Sequence, residues 1–261
     1  MRIKTQCEFG YELQLVIPYA YYLHTINKLN KTTSSKMTKE LYYFSKNHFE
    51  VYEKRVYENP RVPNRSPHVT HLKYTEYIPP PYKSIFMNSF YIFDKPLLII
   101  HNKYTYEWDN PPINFIDIPT LDKIFNYCNS KYKIVYINPS ASMIIRDNSN
   151  ILQLKGESEL LQKYSITLGS ELYSQTKDMY KINNFNHFQL LLHSNCERFI
   201  SVQGGNCVFA SYFSGTNIIY AKKGEELNCN SYNTHYQKYS GCKIYHSNTY
   251  DDYLNLIYTH Y

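Results

Sequence analysis

Apolar residues along this chain recur with two different periods, and the contrast is clearest after residue 95. "KPLLIIHN" (95–102) is a continuous apolar run, the pattern of a strand buried on both faces of a sheet. "PTLDKIFNYCNS" (119–130) returns apolar side chains at Leu121, Ile124, Phe125 and Cys128, one face of a helix, with Thr120 as its expected N-cap. "YKIVYINP" (132–139) is a second buried strand. "GESELLQKY" (156–164) predicts a short helix and "SITLG" (165–169) a strand. "NNFNHFQLLLHSNCE" (183–197) opens on asparagines able to cap a helix and sets Phe185, Phe188, Leu191, Leu192 and Cys196 on its apolar side. The pattern then predicts strand "RFISVQ", helix "NCVFASYF" ended by Gly215, strand "TNIIYA", strand "KIYH" and a last helix over about 249–258.

Strand and helix in alternation predict right-handed βαβ units and a doubly wound parallel sheet. This assigns residues 95–248 to a C-terminal lobe and 249–261 to a terminal helix. Residues 1–94 are left as a smaller N-terminal lobe, where "YELQLVIPYAYYLHTINKL" (11–29) predicts a helix interrupted at Pro18 and "KELYYFS" (39–45) a strand. The segment 58–83 holds Pro60, Pro63, Pro67, Pro79, Pro80 and Pro81, and it predicts a wrapping loop because proline removes backbone donors. The fold class expected is α/β with two Rossmann-like lobes.

Composition narrows the function classes. With 261 residues, 43% hydrophobic and 19% charged, the chain can bury one large core or two small ones. A net charge of +6 favours an anionic partner. The basic residues are scattered in nothing longer than pairs such as Lys54-Arg55, which argues against nucleic acid and for a small phosphate-bearing ligand. The 6 Cys form no CxxC, and Cys229, His235, Cys242 and His246 match no usual zinc spacing, so no metal is expected. Cys128, Cys196 and Cys207 sit in apolar patterns as packed thiols, which suggests a reducing compartment. Residues 1–20 carry Glu8 and Glu12 and no leader-like apolar core, and no stretch approaches the ~20 apolar residues of a membrane span. The expectation is a cytoplasmic protein without a membrane span.

Four places carry candidate chemistry. Gly204-Gly205 stand between a predicted strand and a predicted helix, where bare amides can meet a diphosphate, with Gln203 and Asn206 alongside and Ser201 or Ser211 to add a hydroxyl. A tight strand–helix turn accounts for the pair equally well, and the pattern leaves both readings open. "HNKYTYEW" (101–108) leaves the carboxyl end of a buried strand, where open α/β sheets bind ligands, and offers Lys103 as a charge and His101 as a donor. "KKGEEL" (222–227) leaves another strand and offers Glu225 or Glu226 to ribose hydroxyls. In the first lobe, Gly10 and Glu12 of "EFGYELQ" lie at a helix mouth turned toward the cleft between lobes.

Taken together, these stretches resemble a GT-B glycosyltransferase, in layout close to the fucosyltransferase-like branch and to uncharacterised viral and bacterial relatives. "EFGYELQLVIPYAYYLH" is similar to the segment opening the acceptor-side lobe, and "IIHNKYTYEW" and "KIVYINPS" to the first donor-side strands. "NFNHFQLLLHSNCERFISVQGGNCVFASYFSGTNIIYAKKGEEL" is similar to the nucleotide-sugar site. The resemblance implies a GDP- or UDP-linked sugar as co-substrate, a glycan or protein hydroxyl as acceptor, and no metal. It implies donor diphosphate at Gly204, Gly205 and Asn206, with His101, Lys103 and Gln203 beside them and Glu225 on the ribose. It also implies Glu12 as catalytic base, with His68 behind it. The sequence departs from the branch where HxR becomes His101-Asn102-Lys103, which keeps the charge without the bidentate fork, and where Arg-Pro becomes Asn138-Pro139. Those departures motivate an alternative: a non-catalytic binding or structural, virion-associated protein on a degenerate transferase scaffold, in the host cytoplasm if the source is viral.

Overall fold

The computed structural model describes residues 1–58, 62–63, 76–107, 110–138, 143–147 and 149–261. The strands, in chain order, are β1 (Arg2–Lys4), β2 (Lys31–Ser35), β3 (His48–Tyr52), β4 (Leu97–His101), β5 (Thr105–Tyr106), β6 (Lys133–Ile137), β7 (Asn150–Ile151), β8 (Thr167–Leu168), β9 (Arg198–Val202), β10 (Thr216–Tyr220) and β11 (Lys243–Ser247). β1-β2-β3 make a small sheet, and β11-β10-β9-β4-β6-β8 a large one. Every pairing in both sheets is parallel. β5 and β7 form a separate antiparallel pair. The fold is α/β, as the alternation predicts.

The strand order determines where a ligand can sit. From β4 the chain builds outward through β6 to β8, then returns to the other side of β4 and builds β9, β10 and β11. The order therefore reverses between β4 and β9, which are directly paired through Ile99–Phe199 and Ile100–Ile200. Connections leave these two strands in opposite directions, so a crevice opens beyond their carboxyl ends.

Period-two burial sorts the large sheet's side chains onto two faces. Leu98, Ile100, Tyr136, Ile200, Ile218 and Tyr220 pack with Phe125, Tyr253 and Ile257 of the helices Ile118–Cys128 and Tyr250–His260. Leu97, Ile99, Val135, Ile137, Phe199 and Ile219 face the helices Phe185–Ser194 and Gly205–Ala210, in a core that continues into Ile3, Leu13, Leu15 and Tyr42 of the small lobe. The two lobes thus share one apolar cluster. Among the described residues, no helix is long and apolar enough to cross a membrane.

Several local expectations are revised. The N-cap of Ile118–Cys128 is Asp117, whose carboxylate accepts the Thr120 N–H at 2.9 Å, so Thr120 lies inside the helix. Asn184 does cap Phe185–Ser194, accepting the His187 N–H at 2.9 Å. A further helix, Gly169–Thr176, follows β8 directly. Residues 39–45 form turns rather than a strand, with Leu41, Tyr42 and Phe44 buried.

Residues 9–25 are helical throughout, so Pro18 does not interrupt them. A π-helical turn, Glu12–Val16, precedes it. Proline cannot bond the carbonyl one turn back. That carbonyl, of Gln14, accepts instead from Tyr77 Oη at 2.6 Å, and the neighbouring Leu13 carbonyl from Tyr212 Oη at 2.6 Å.

The small lobe is organised around a buried acid. Glu12 is fully buried and pairs with Arg55 at 2.5 Å, while Tyr42 Oη donates to it at 2.8 Å and Ser34 Oγ also donates to it. Arg55 in turn donates to the Cys7 carbonyl at 2.9 Å. Removing one partner of a buried pair leaves an uncompensated charge, at a cost of about 3–5 kcal/mol. Arg55→Met is therefore expected to lower unfolding free energy by about that amount in urea titration. Adding Glu12→Gln to it recovers much of the loss; a double variant no more stable than Arg55→Met would show that the pair is not what carries the cost.

Candidate functional site

A cleft of about 640 Å³ opens where the strand order reverses and is walled on its far side by the N-terminal lobe. Its volume lies in the range of small-molecule sites. His101, Lys103, Gln203, Gly204, Gly205, Asn206 and Glu225 all line it. The small lobe contributes Glu8, Gly10, Tyr11 and Gln14 from its first helical turns, and Arg55 from the segment after β3.

Each wall is held by local structure. Asn102, buried just beyond β4, donates to the Ile116 carbonyl at 3.0 Å and to Tyr136 Oη at 2.9 Å, and accepts the N–H groups of Ile116 at 2.8 Å and Lys103 at 3.0 Å. It fixes the path on which Lys103 leaves the sheet. Asn114 does the same beyond β10, accepting the N–H groups of Lys222 at 2.9 Å and Lys223 at 3.2 Å and donating to the Lys223 carbonyl at 2.8 Å. Asn114 does not stand out in the sequence, and Asn102 is noticed there only as the middle of His101-Asn102-Lys103, because a single Asn in a loop has no pattern of its own.

The two glycines have separate reasons. Gly204 has φ +139°, a conformation side chains rarely adopt, and a β-carbon there would lie 3.0 Å from Lys103 Nζ. Gly205 faces the small lobe: a β-carbon would lie 3.0 Å from the Phe9 ring and 3.4 Å from the Gly10 amide nitrogen. The bend therefore brings bare backbone to Lys103 on one side and seats the two lobes against each other on the other. Ser201 and Ser211 are buried outside the cleft, bonded to Asn217 Oδ1 at 2.7 Å and to the Cys207 carbonyl at 2.7 Å, so neither offers the hydroxyl expected of it. Cys207 is packed, and burial pushes its thiol up to about 12.

Charge in the cleft is mixed. Arg55, Lys103 and Lys223 face Glu8, Glu107, Asp147, Glu225 and Glu226. Lys103 is ion-paired with Glu107, and Arg55 with Glu12. Glu12 itself is not part of the lining: the expected base is consumed inside the small lobe by Arg55, Ser34 and Tyr42, and it does not reach the cleft. The carboxylate that the N-terminal segment does bring to the cleft is Glu8, four residues earlier. His68 lies outside the described residues.

Behind the cleft floor sits a buried histidine pair. His101 Nε2 and His193 Nε2 are 2.7 Å apart, and His193 Nδ1 lies 2.7 Å from the Gln189 carbonyl. Burial holds His101 down at about 3, and burial together with the neighbouring His101 holds His193 well below its ordinary value. Both rings are therefore neutral at pH 7.

No protein-family model matches the chain, and no curated protein matches it. Among solved structures, a histidine-to-alanine variant of the wall teichoic acid polymerase TagF is similar over 91% of this chain and 50% of its own, with 11% identity and a TM-score of 0.36. This chain thus spans about half the length of TagF. A TM-score that low defines no fold, which rests here on strand order and direction.

The histidine pair gives a signed pH dependence. Above pH 6.5 both states hold the rings neutral. Below it the unfolded chain takes up protons that the folded core refuses, so stability falls with pH, for His101 by about 1.4 kcal/mol per pH unit down to about 3, and His193 adds a loss of the same sign. Urea midpoints between pH 7 and pH 5 are expected to fall more steeply in the native protein than in His193→Gln. Parallel slopes would place the titration elsewhere.

Proposed function

We propose that this protein binds a nucleoside-diphosphate sugar in the interlobe cleft and transfers the sugar to a hydroxyl of a glycan or protein, without a metal. One observation carries the reading. Lys103 and the bare backbone at Gly204 meet at the carboxyl ends of adjacent central strands, at the point where strand order reverses and a second lobe faces the opening. A cation against uncovered backbone amides suits a diphosphate, and its stabilising effect grows as negative charge develops on the departing group. Glu225 lies beyond β10 on the same side as a partner for ribose hydroxyls. With Glu12 withdrawn, Glu8 is the carboxylate that the acceptor-side lobe offers for deprotonating the incoming hydroxyl.

The Lys103–Glu107 ion pair modifies the expectation. A diphosphate arriving at Lys103 competes with a carboxylate already there, so binding requires Glu107 to yield. The reading fits a nucleotide of modest affinity and assigns to Glu107 the role of a displaceable counter-ion. The fucosyltransferase-like branch has no support in this geometry beyond the layout, since the position of its arginine is held by Lys103.

A second reading is favoured by the same charge pairs. With Lys103 neutralised and Glu12 consumed, the scaffold serves equally for a protein that holds a nucleotide sugar without turning it over.

Isothermal titration with UDP, GDP and CDP is expected to find at least one binder. Lys103→Met then weakens it about tenfold to a hundredfold, and Glu107→Gln tightens it about tenfold. Heat from none of the three would remove the reading. In assays of donor-sugar release from UDP- and GDP-sugars, Glu8→Gln is expected to slow turnover at least a hundredfold with donor affinity unchanged. Binding without turnover in the native protein selects the non-catalytic reading.

A further inference from the structure

The small lobe brings two aromatic rings to the cleft. Tyr57, in the segment after β3, and Tyr11, in the first helix, both line it, with ring centroids 6.0 Å apart and planes tilted by 50°. Tyr57 is 57% exposed, and among the described residues it is the large exposed apolar side chain that lines the cleft.

The backbone carrying Tyr57 is pinned on both sides of it. The Val56 N–H donates to the Gln6 carbonyl at 2.9 Å, and the Glu58 carboxylate accepts the Gln6 N–H at 3.1 Å. Just before them, the Arg55 N–H donates to the Arg146 carbonyl at 2.8 Å. Arg146 is itself flanked by cleft residues: Ile144 and Ile145 add apolar surface before it, and Asp147 a carboxylate after it. Tyr11 is half-buried. Burial, then the neighbouring Tyr57 and Glu8, pushes its hydroxyl above the ordinary range, and a hydrogen bond to Tyr57 keeps its proton in place. Glu8 lines the cleft from three residues earlier on the same side of the helix.

A flat aromatic surface in a cleft suits a peptide, a nucleobase or a sugar ring. The backbone argues against a peptide, which docks by adding hydrogen bonds to a free strand edge. Here the extended segment has spent its own groups. The Lys54 carbonyl accepts from Gln6 Nε2 at 3.0 Å, Lys54 pairs with Arg146 in a parallel bridge, and the Arg55 and Val56 N–H groups are taken as above. Position argues against a nucleobase, because the phosphate and ribose contacts proposed above come from Lys103, Gly204 and Glu225 of the large lobe. A sugar ring fits what remains. Its C–H faces pack against the electron-rich face of a tyrosine, and the hydroxyls at its edge donate to carboxylates such as Glu8 and Asp147.

We propose that Tyr57 and Tyr11 form an acceptor subsite for a saccharide, its ring laid on Tyr57 and one hydroxyl turned to Glu8. The inference rests on the transferase reading and narrows its acceptor from a glycan or protein to a glycan. In that transfer the hydroxyl gives its proton to Glu8, and its oxygen forms the new bond to the anomeric carbon of the donor. The nucleoside diphosphate leaves with the electron pair of the bond that breaks. The donor is then held from the large lobe and the acceptor from the small one.

The test uses the full-length chain saturated with UDP or GDP and follows added molecules by saturation-transfer NMR. Cellobiose, lactose and diacetylchitobiose are compared with an octapeptide rich in Ser and Thr. At least one disaccharide is expected to bind, with strongest transfer to its ring C–H protons, and the peptide is not. Tyr57→Ala is expected to weaken that disaccharide at least about fivefold and Tyr57→Trp to restore it, while affinity for UDP or GDP and the melting temperature stay unchanged. Binding of the peptide, binding of none of the disaccharides, or a disaccharide affinity indifferent to Tyr57→Ala overturns the inference and leaves the nucleotide reading standing. Loss of UDP or GDP affinity in Tyr57→Ala puts the nucleobase on the ring and overturns it as well. Failure of UDP and GDP to bind the native protein overturns both.

Discussion

Two parallel strands whose connections depart in opposite directions cannot close the space beyond their carboxyl ends, and the arrangement of this protein follows from that constraint. β4 and β9 are such a pair, adjacent at the centre of the large sheet. The residues leaving them, Asn102-Lys103 and Gln203-Gly204-Gly205, are therefore adjacent whatever lies between them in sequence. Asn102 secures one exit by bonding to the Ile116 backbone, and the positive φ of Gly204 turns the other. The small lobe then covers the opening. It is seated by Gly10 against Gly205, by the Arg55 amide on the Arg146 carbonyl at 2.8 Å, and by Glu40 accepting from Asn183 and Asn184 at 2.7 and 2.8 Å. Because the apolar core runs continuously from the large sheet into the small lobe, the cleft is a gap in one packed body.

How much of this the sequence reveals depends on what each segment buries. β4, β6, β9 and β10 are buried on both faces, so they appear as apolar runs and are readable. β2 reads KTTSS and gives no such signal, yet Thr32, Ser34 and Ser35 are fully buried. Their neighbourhood is polar: Thr32 Oγ1 donates to Ser45 Oγ at 2.8 Å, and Ser34 donates to Glu12. A strand whose buried side chains are hydroxyls beside an ion pair has no hydropathy pattern to read. Residues 39–45 mislead for the converse reason. Leu41, Tyr42 and Phe44 are buried from a chain of turns, and an aromatic-rich run has the look of a strand in either case.

The cleft divides the same way. Gly204 and Gly205 stand out because glycine is scarce here, and Lys103 because it follows a legible strand. Gln14, Gln189 and the His101–His193 pair were beyond reach, since their roles depend on which polar atoms find partners, and partners come from distant segments. Gln189 and His193 lie one helical turn apart, inside a helix whose apolar stripe attracts attention first. That His193 and His101 meet is a consequence of packing that helix on β4, and no spacing in the chain encodes it.

That the cleft receives Glu8 and not Glu12 has a specific cause in the first helix. Glu8, Tyr11 and Gln14 line the cleft while Glu12, Leu13, Leu15 and Val16 face inward. A spacing of three residues places 8, 11 and 14 on one side of a helix. Glu12 is one residue past Tyr11 and turns toward β2 and Arg55. The π-helical turn that follows adds a residue to the circuit before Pro18, and the carbonyls it loosens are taken up by Tyr77 and Tyr212. Those two tyrosines come from beyond the small lobe's sheet, one before β4 and one after β9. The irregular turn thus ties the helix to the rest of the molecule at the level of Gln14, the same level at which that residue's side chain lines the cleft. A proline that in isolation would end the helix here serves to hold a cleft residue in place, because the backbone acceptors it frees are bonded across the fold.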